Sequence, residues 1–190
     1  MWWQEKKREI IMVIHFKSAF ENLSEKDVDE FIKLNKNKLI GSSIFTSNNS
    51  ITSKIVRFVE KKKLNRDGFI PSHTGSIIEY NNNIYVFDMK PLRASITLLK
   101  NYLLNTKDDF CIVIRDYDLD SKMFSANIAY HIGEFYPFLS AISSVFSKRN
   151  TKYRTHCSEL HLRELQKQGL FLDINAEITP LELLDVLTNE

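Results

Sequence analysis

Ser76-Ile77-Ile78-Glu79-Tyr80-Asn81-Asn82-Asn83-Ile84-Tyr85-Val86-Phe87-Asp88 carries the clearest β signal of the chain. Two runs rich in β-branched and aromatic residues flank three asparagines. Asparagine tolerates positive φ, so the pattern predicts a hairpin with a three-residue loop at Asn81 to Asn83. In such a hairpin the end of the second strand returns beside the start of the first. Positions near 74 and 90 then pair, and Asp88 arrives within a few residues of His73. His73 itself follows Pro71-Ser72 at the foot of the first strand, where a rigid element would hold an imidazole against a cleft.

Working outward, Ser24 reads as an N-cap ahead of Val28, Phe31, Ile32 and Leu34 at near-helical spacing, and the first part of the chain to about Lys38 reads helical. Gly41 breaks that pattern, Ser43 to Thr46 reads as a short strand, and Asn48-Asn49-Ser50 as a turn. Ile51 to Leu64 is an amphipathic helix with Ile51, Ile55, Phe58 and Val59 on one face and Lys61, Lys62 and Lys63 at its C-terminal end, where cations suit the helix dipole. After the hairpin, Ala94 to Leu104 reads helical, Phe110 to Arg115 as a strand, and Ser121 to Phe146 as a helical stretch interrupted near Gly133 and Pro137. Thr155 to Gln168 is helical and stops at Gly169; Thr179 and Pro180 supply the N-cap and first position of a last helix. Helices, then strands, then helices predict an α+β fold.

Composition narrows the function. The 190 residues carry 26 Lys plus Arg against 24 Asp plus Glu, a net charge of +2. That is too even for a whole-protein nucleic-acid footprint, and the cluster Lys61, Lys62, Lys63 and Arg66 reads as a solvated helix end. With 5 glycines, the chain has no GxGxxG or GxxxxGK[ST] loop for phosphate. No apolar run approaches the ~18 residues of a membrane span. Ile10 to Ile14 follows a charged segment that includes acids, and no small-residue cleavage site comes after it, so no signal peptide is expected. Two cysteines are too few for a disulfide framework and suggest a reducing compartment.

Cys157 opens a helix in Arg154-Thr155-His156-Cys157-Ser158-Glu159-Leu160, where backbone N–H groups and the helix dipole favour a thiolate. Cys111 lies in an apolar strand and reads as a packed thiol. His15 and His131 read as packing histidines. Cys157 and His161, four residues apart, share a helical face beside His156, but no second cluster completes a zinc site, so no metal is expected. His73 as base and Asp88 as its orienter would complete the set with Cys157 as nucleophile; Glu79, near the hairpin loop, is the alternative third member.

The order of these pieces resembles the circularly permuted NlpC-like papain-fold family, the YiiX-like group. Pro71-Ser72-His73-Thr74-Gly75 leads into a hairpin ending in an acid, Cys157-Ser158-Glu159-Leu160 follows far downstream on a helix, and Thr179-Pro180 comes after it. The likeness covers about Leu39 to Leu187. It implies a permuted papain-like domain over residues 39–190, a small antiparallel sheet packed on helices, with residues 1–38 as an added helical extension. It also implies a cysteine peptidase or amidase, with Cys157 as nucleophile, His73 as general base and Asp88 as orienter. Gly41-Ser42 stands where the family commonly has Gly-Asp, and Asp88 where it often has Glu. The implied substrates are amide bonds of cell-wall-type peptides, or acyl-lipid bonds, with no cofactor. A cytoplasmic or virion-associated location is expected. The rival expectation is a phage or bacterial interaction protein that retains the fold, with the N-terminal helices, Thr151 to His156 or the aromatic-rich Met123 to Phe146 as a partner surface.

Overall fold

A computed structural model describes residues 13–64, 68–90, 93–134 and 157–188. Among them, six strands form one sheet in the order β1-β6-β2-β3-β4-β5, every neighbouring pair antiparallel. The strands are β1 (Val13–Phe16), β2 (Ser43–Ser47), β3 (His73–Tyr80), β4 (Asn83–Lys90), β5 (Arg93–Leu98) and β6 (Asp109–Ile114). The helices are α1 (Glu25–Leu39), α2 (Ile51–Leu64), α3 (Leu99–Asn105), α4 (Ser121–Ala129), α5 (Cys157–Gln166) and α6 (Pro180–Thr188). The class is therefore α+β. No helix of the described residues is long and apolar enough to cross a membrane.

The sheet is the middle of three layers. On one face, Phe45, Ile78, Phe87, Cys111 and Val113 pack against Phe124 and Ile128 of α4, Leu160, Leu162 and Leu165 of α5, and the leucines of α6. On the other, Ile44, Ile77, Val86, Phe110 and Ile112 pack against Val28 and Leu39 of α1 and Leu99 and Leu103 of α3. Burial on both sides explains why β6 reads as a nearly continuous apolar run without alternation and why every residue of β2, its serines and threonine included, is buried. Each fully buried Phe, Leu or Ile contributes about 1.5–3 kcal/mol, so the central strands are the most firmly held part of the fold.

The hairpin forms one residue tighter than expected. Asn81 and Asn82 alone make the turn, with φ of 48° and 61°, and Tyr80 pairs with Asn83. Two successive left-handed residues match the right-handed twist of the flanking strands, so the two-residue loop wins over the three-residue one. Ser76 then faces Phe87, and the same register carried one step towards the site sets Gly75 opposite Asp88 on the α3 side of the sheet.

Two other expectations are corrected. The stretch from Ala94 is a strand before it is a helix: Ile96 and Ser95 pair with Phe87 and Asp88 of β4, and the edge pairing prevails until Leu99. Helix to Lys38 holds for α1, whose N-cap Ser24 forms a capping box with Asp27, but Val13–Phe16 is a strand pairing with β6. Residues on both sides of Lys38 share one core cluster. Gly169 ends the α5 turn at φ 83°, with the Leu170 N–H donating to Leu165 O at 3.2 Å, and Thr179 caps α6 by exchanging bonds with Glu182. The expectations for residues 1–12, 135–150 and 151–156, His156 included, lie outside the described residues.

Candidate active site

His73 is the first residue of β3, and Thr46 beside it on β2 is its cross-strand partner. The strand position points the imidazole to the same side as Gly75 and Ile77. Gly75 has no side chain, which leaves Asp88 an unobstructed diagonal to His73. A Cβ at Gly75 would lie 2.8 Å from Val86 Cγ1, 2.9 Å from Ile44 Cγ2 and 3.1 Å from the Phe87 carbonyl. His73 Nε2 is hydrogen-bonded to Asp88 Oδ1. The imidazole is 23% exposed and the Asp88 carboxylate 5%, so the carboxylate is shielded while the ring remains reachable.

Cys157 begins α5 and hydrogen-bonds to the His73 side chain. Because Nε2 is held by Asp88, the nitrogen left for the thiol is Nδ1. Burial would raise the Cys157 pKa, but the charge of His73, its hydrogen bond, and the backbone N–H groups of Thr74 and Ser158 outweigh burial and hold it below the ordinary thiol range. Burial would likewise lower the His73 pKa; the Cys157 and Asp88 charges and their hydrogen bonds reverse this and hold it well above 6.5. Both shifts run towards a thiolate–imidazolium pair, whose window opens above the thiol pKa and closes above the imidazolium pKa. A thiol ionised in such a pair needs no separate deprotonation before attacking an acyl carbon.

Tyr102 of α3 stands beside Asp88. Burial, then the Asp88 and Asp108 carboxylates, drive its phenol well above the usual range, against a hydrogen bond from Thr46. Tyr102 therefore stays a neutral O–H near the Asp88 carboxylate. Nothing in its sequence context marks it, because its relation to Asp88 exists only once α3 packs over β4. Thr74, whose N–H meets the thiol, also carries a buried hydroxyl without a hydrogen-bond partner.

His161 lies one helical turn beyond Cys157 and is fully buried. It is no metal ligand: its Nε2 meets Ser43 Oγ and its Nδ1 meets Ser76 Oγ, each at 2.8 Å, and Phe124 packs edge-on against the ring. These bonds clamp α5 onto β2 and onto β3, the strand that begins with His73. Ser158 adds a bond to the Ile178 carbonyl at 2.5 Å. Among the described residues no group of His, Cys, Asp and Glu is arranged to hold a metal.

Burial lowers the His161 pKa to about 3. The unfolded chain takes up this proton below about pH 6.5 and the folded chain does not. Stability therefore rises with pH between those two values and falls as the solution is acidified. By pH 5 the loss from this residue is expected to reach about 2 kcal/mol. Urea titrations at pH 7 and pH 5 measure it, and His161→Gln, which keeps polar contacts without the titration, should lose that increment. An unchanged difference in the variant would place the acid sensitivity elsewhere.

The other candidates fall away from the site. Glu79, the alternative third member, pairs with Lys36 at 2.6 Å towards the turn end of the hairpin and does not approach His73. Cys111 is buried, and burial pushes its thiol up to about 12. His15, in β1 and not in a helix, packs against Phe20 and Phe31, and His131 meets Glu134. A cavity of about 550 Å³ lies at the opposite end of the sheet, beyond β6, between Asn37, Arg115 and the Asp116 to Asp120 loop. Its guanidinium is already committed to Ile40, Asn37 and Tyr117 carbonyls and Ser121 Oγ, so it serves as a loop anchor.

No protein-family model matches this chain, and no curated protein sequence matches it.

Proposed function

We propose that the protein is a cysteine hydrolase acting on an amide or ester, built on a permuted papain-like fold of NlpC type. The observation that carries this reading is the placement of His73 between Cys157 and Asp88, each on a separate rigid element. Support for the fold comes from chain order: the base opens a strand early in the sheet, and the nucleophile opens a helix that follows it.

In this reading the Cys157 thiolate attacks the acyl carbon and forms a thioester as the bond to the leaving amine or alcohol breaks. The His73 imidazolium gives its Nδ1 proton to that leaving group. Neutral His73 then takes a proton from water, which attacks the thioester and releases the acid, restoring the pair. Asp88 holds the ring orientation and stabilises its charged form. Cell-wall-type peptides or acyl esters are the substrate classes proposed from the resemblance.

An activated ester tests the chemistry whatever the natural substrate. With p-nitrophenyl acetate, intact-mass and peptide analysis should find one acetyl group on Cys157 and release of p-nitrophenol. Cys157→Ala should lack both. Release that persists in Cys157→Ala, or an adduct elsewhere, would contradict the assignment.

A further inference from the structure

Helix α2 leaves two of its apolar side chains, Ile55 and Phe58, outward. Ser53, Val56 and Glu60 are its buried residues, whereas Ile55 is 38% and Phe58 66% exposed. Polar anchors impose this orientation. Arg57 donates to Ser47 Oγ and the Asn48 carbonyl, and Glu60 accepts from Thr179 Oγ1 at 3.0 Å. Of the stripe that the sequence pattern identifies, Ile55 and Phe58 are therefore left to solvent, while Val59 is half-buried.

The exposed charged side chains of α2 itself, among the described residues, are lysines. Lys54, Lys61 and Lys62 are exposed, and Lys62 Nζ lies 5.5 Å from the centre of the Phe58 ring. Glu60, the one acid in α2, faces inward. Single exposed hydrophobics are ordinary. An Ile and a Phe at i and i+3, flanked by lysines whose stems can run along apolar surface, form the pattern of a helix that lies in a membrane interface. A surface complementary to it offers apolar depth beneath negative charge.

We propose that the outward face of α2 docks the protein on an anionic lipid bilayer. The side chains of Phe58 and Ile55 enter the headgroup–acyl boundary and the lysines meet the headgroups. The inference is independent of the chemistry proposed for Cys157. The two features share one end of the sheet. α2 follows the end of β2 where Thr46 pairs with His73, and Thr179, which holds Glu60, neighbours the Ile178 carbonyl that accepts from Ser158.

The test is co-sedimentation of the full chain with vesicles of phosphatidylserine and phosphatidylcholine, against phosphatidylcholine alone. Binding to the anionic vesicles is expected, falling with added salt. Ile55→Ser combined with Phe58→Ser should reduce the apparent partition coefficient about tenfold or more with the thermal midpoint unchanged. Lys54→Gln combined with Lys62→Gln should weaken binding to the anionic vesicles. The proposal is overturned by absence of binding, by equal binding to both vesicle types, or by undiminished binding of the Ile55, Phe58 variant. It is also overturned if that variant loses stability, which would mean the face is covered within the chain. A dimer that the same variant dissolves would assign the face to a second copy instead.

Discussion

Alkylation of Cys157 at pH 6.5 is expected to slow about ten- to a hundredfold in His73→Ala. A thiol with a pKa of ~8.5 is only ~1% thiolate at that pH, which sets the upper end. The lower end reflects the greater intrinsic nucleophilicity of a more basic thiolate, which recovers part of the loss. The variant removes the imidazolium charge and its hydrogen bond, the strongest influences opposing burial of the thiolate. It leaves the N–H groups of Thr74 and Ser158 in place. The rate should then climb towards the ordinary thiol range as pH rises. Cys111 adds little background, because its thiol is buried and pushed up to about 12. Equal rates for the two proteins at pH 6.5 would show that His73 does not activate the thiol.

Gly75→Val is expected to destabilise the fold by about 3 kcal/mol, near the upper end for overpacking a closed core. The first added carbon already lies within 2.9 Å of side chains on both flanking strands and 3.1 Å from the Phe87 carbonyl. The carbonyl belongs to the β-ladder and has little room to move. The new side chain would also occupy the diagonal that Asp88 uses to reach His73. Urea unfolding reads the stability, and the alkylation rate of Cys157 reads the second effect. A valine variant as stable as the wild type would mean that β3 and β4 can separate locally without cost.

Much of this arrangement is legible in the sequence because its signals are local. The asparagine turn, the Ser24 and Thr179 caps, the Gly169 stop and the Cys157 helix start each depend on a few neighbouring residues. The hairpin alone brings Asp88 to His73. A loop one residue longer than the real one still does so, because the diagonal neighbour on the same face stays in reach. The pairing of Cys157 with His73 rests on resemblance, since 84 positions separate them and no local pattern links them.

What the sequence conceals depends on tertiary packing. Arg93–Leu98 reads as helix until β4 offers an edge to pair with. Val13–Phe16 joins the sheet only because β6 exposes its other edge. Helical spacing puts His161 on one face with Cys157, as a second ligand would be, yet its partners Ser43 and Ser76 come from strands far away in sequence. Helix α2 is the clearest case. Its apolar periodicity is real, but the bonds of Arg57 and Glu60 leave Ile55 and Phe58 of that face outward, and neither partner is predictable from the helix itself.

The most direct test of the thiolate–imidazolium pair is the pH profile of Cys157 alkylation in the wild-type chain, with the modified residue identified by peptide mass analysis. The geometry predicts thiolate reactivity that appears well below the ~8.5 of an ordinary thiol and holds a plateau until His73 loses its proton. A profile that rises only through the ordinary thiol range, or a Cys157 that does not react, would contradict it.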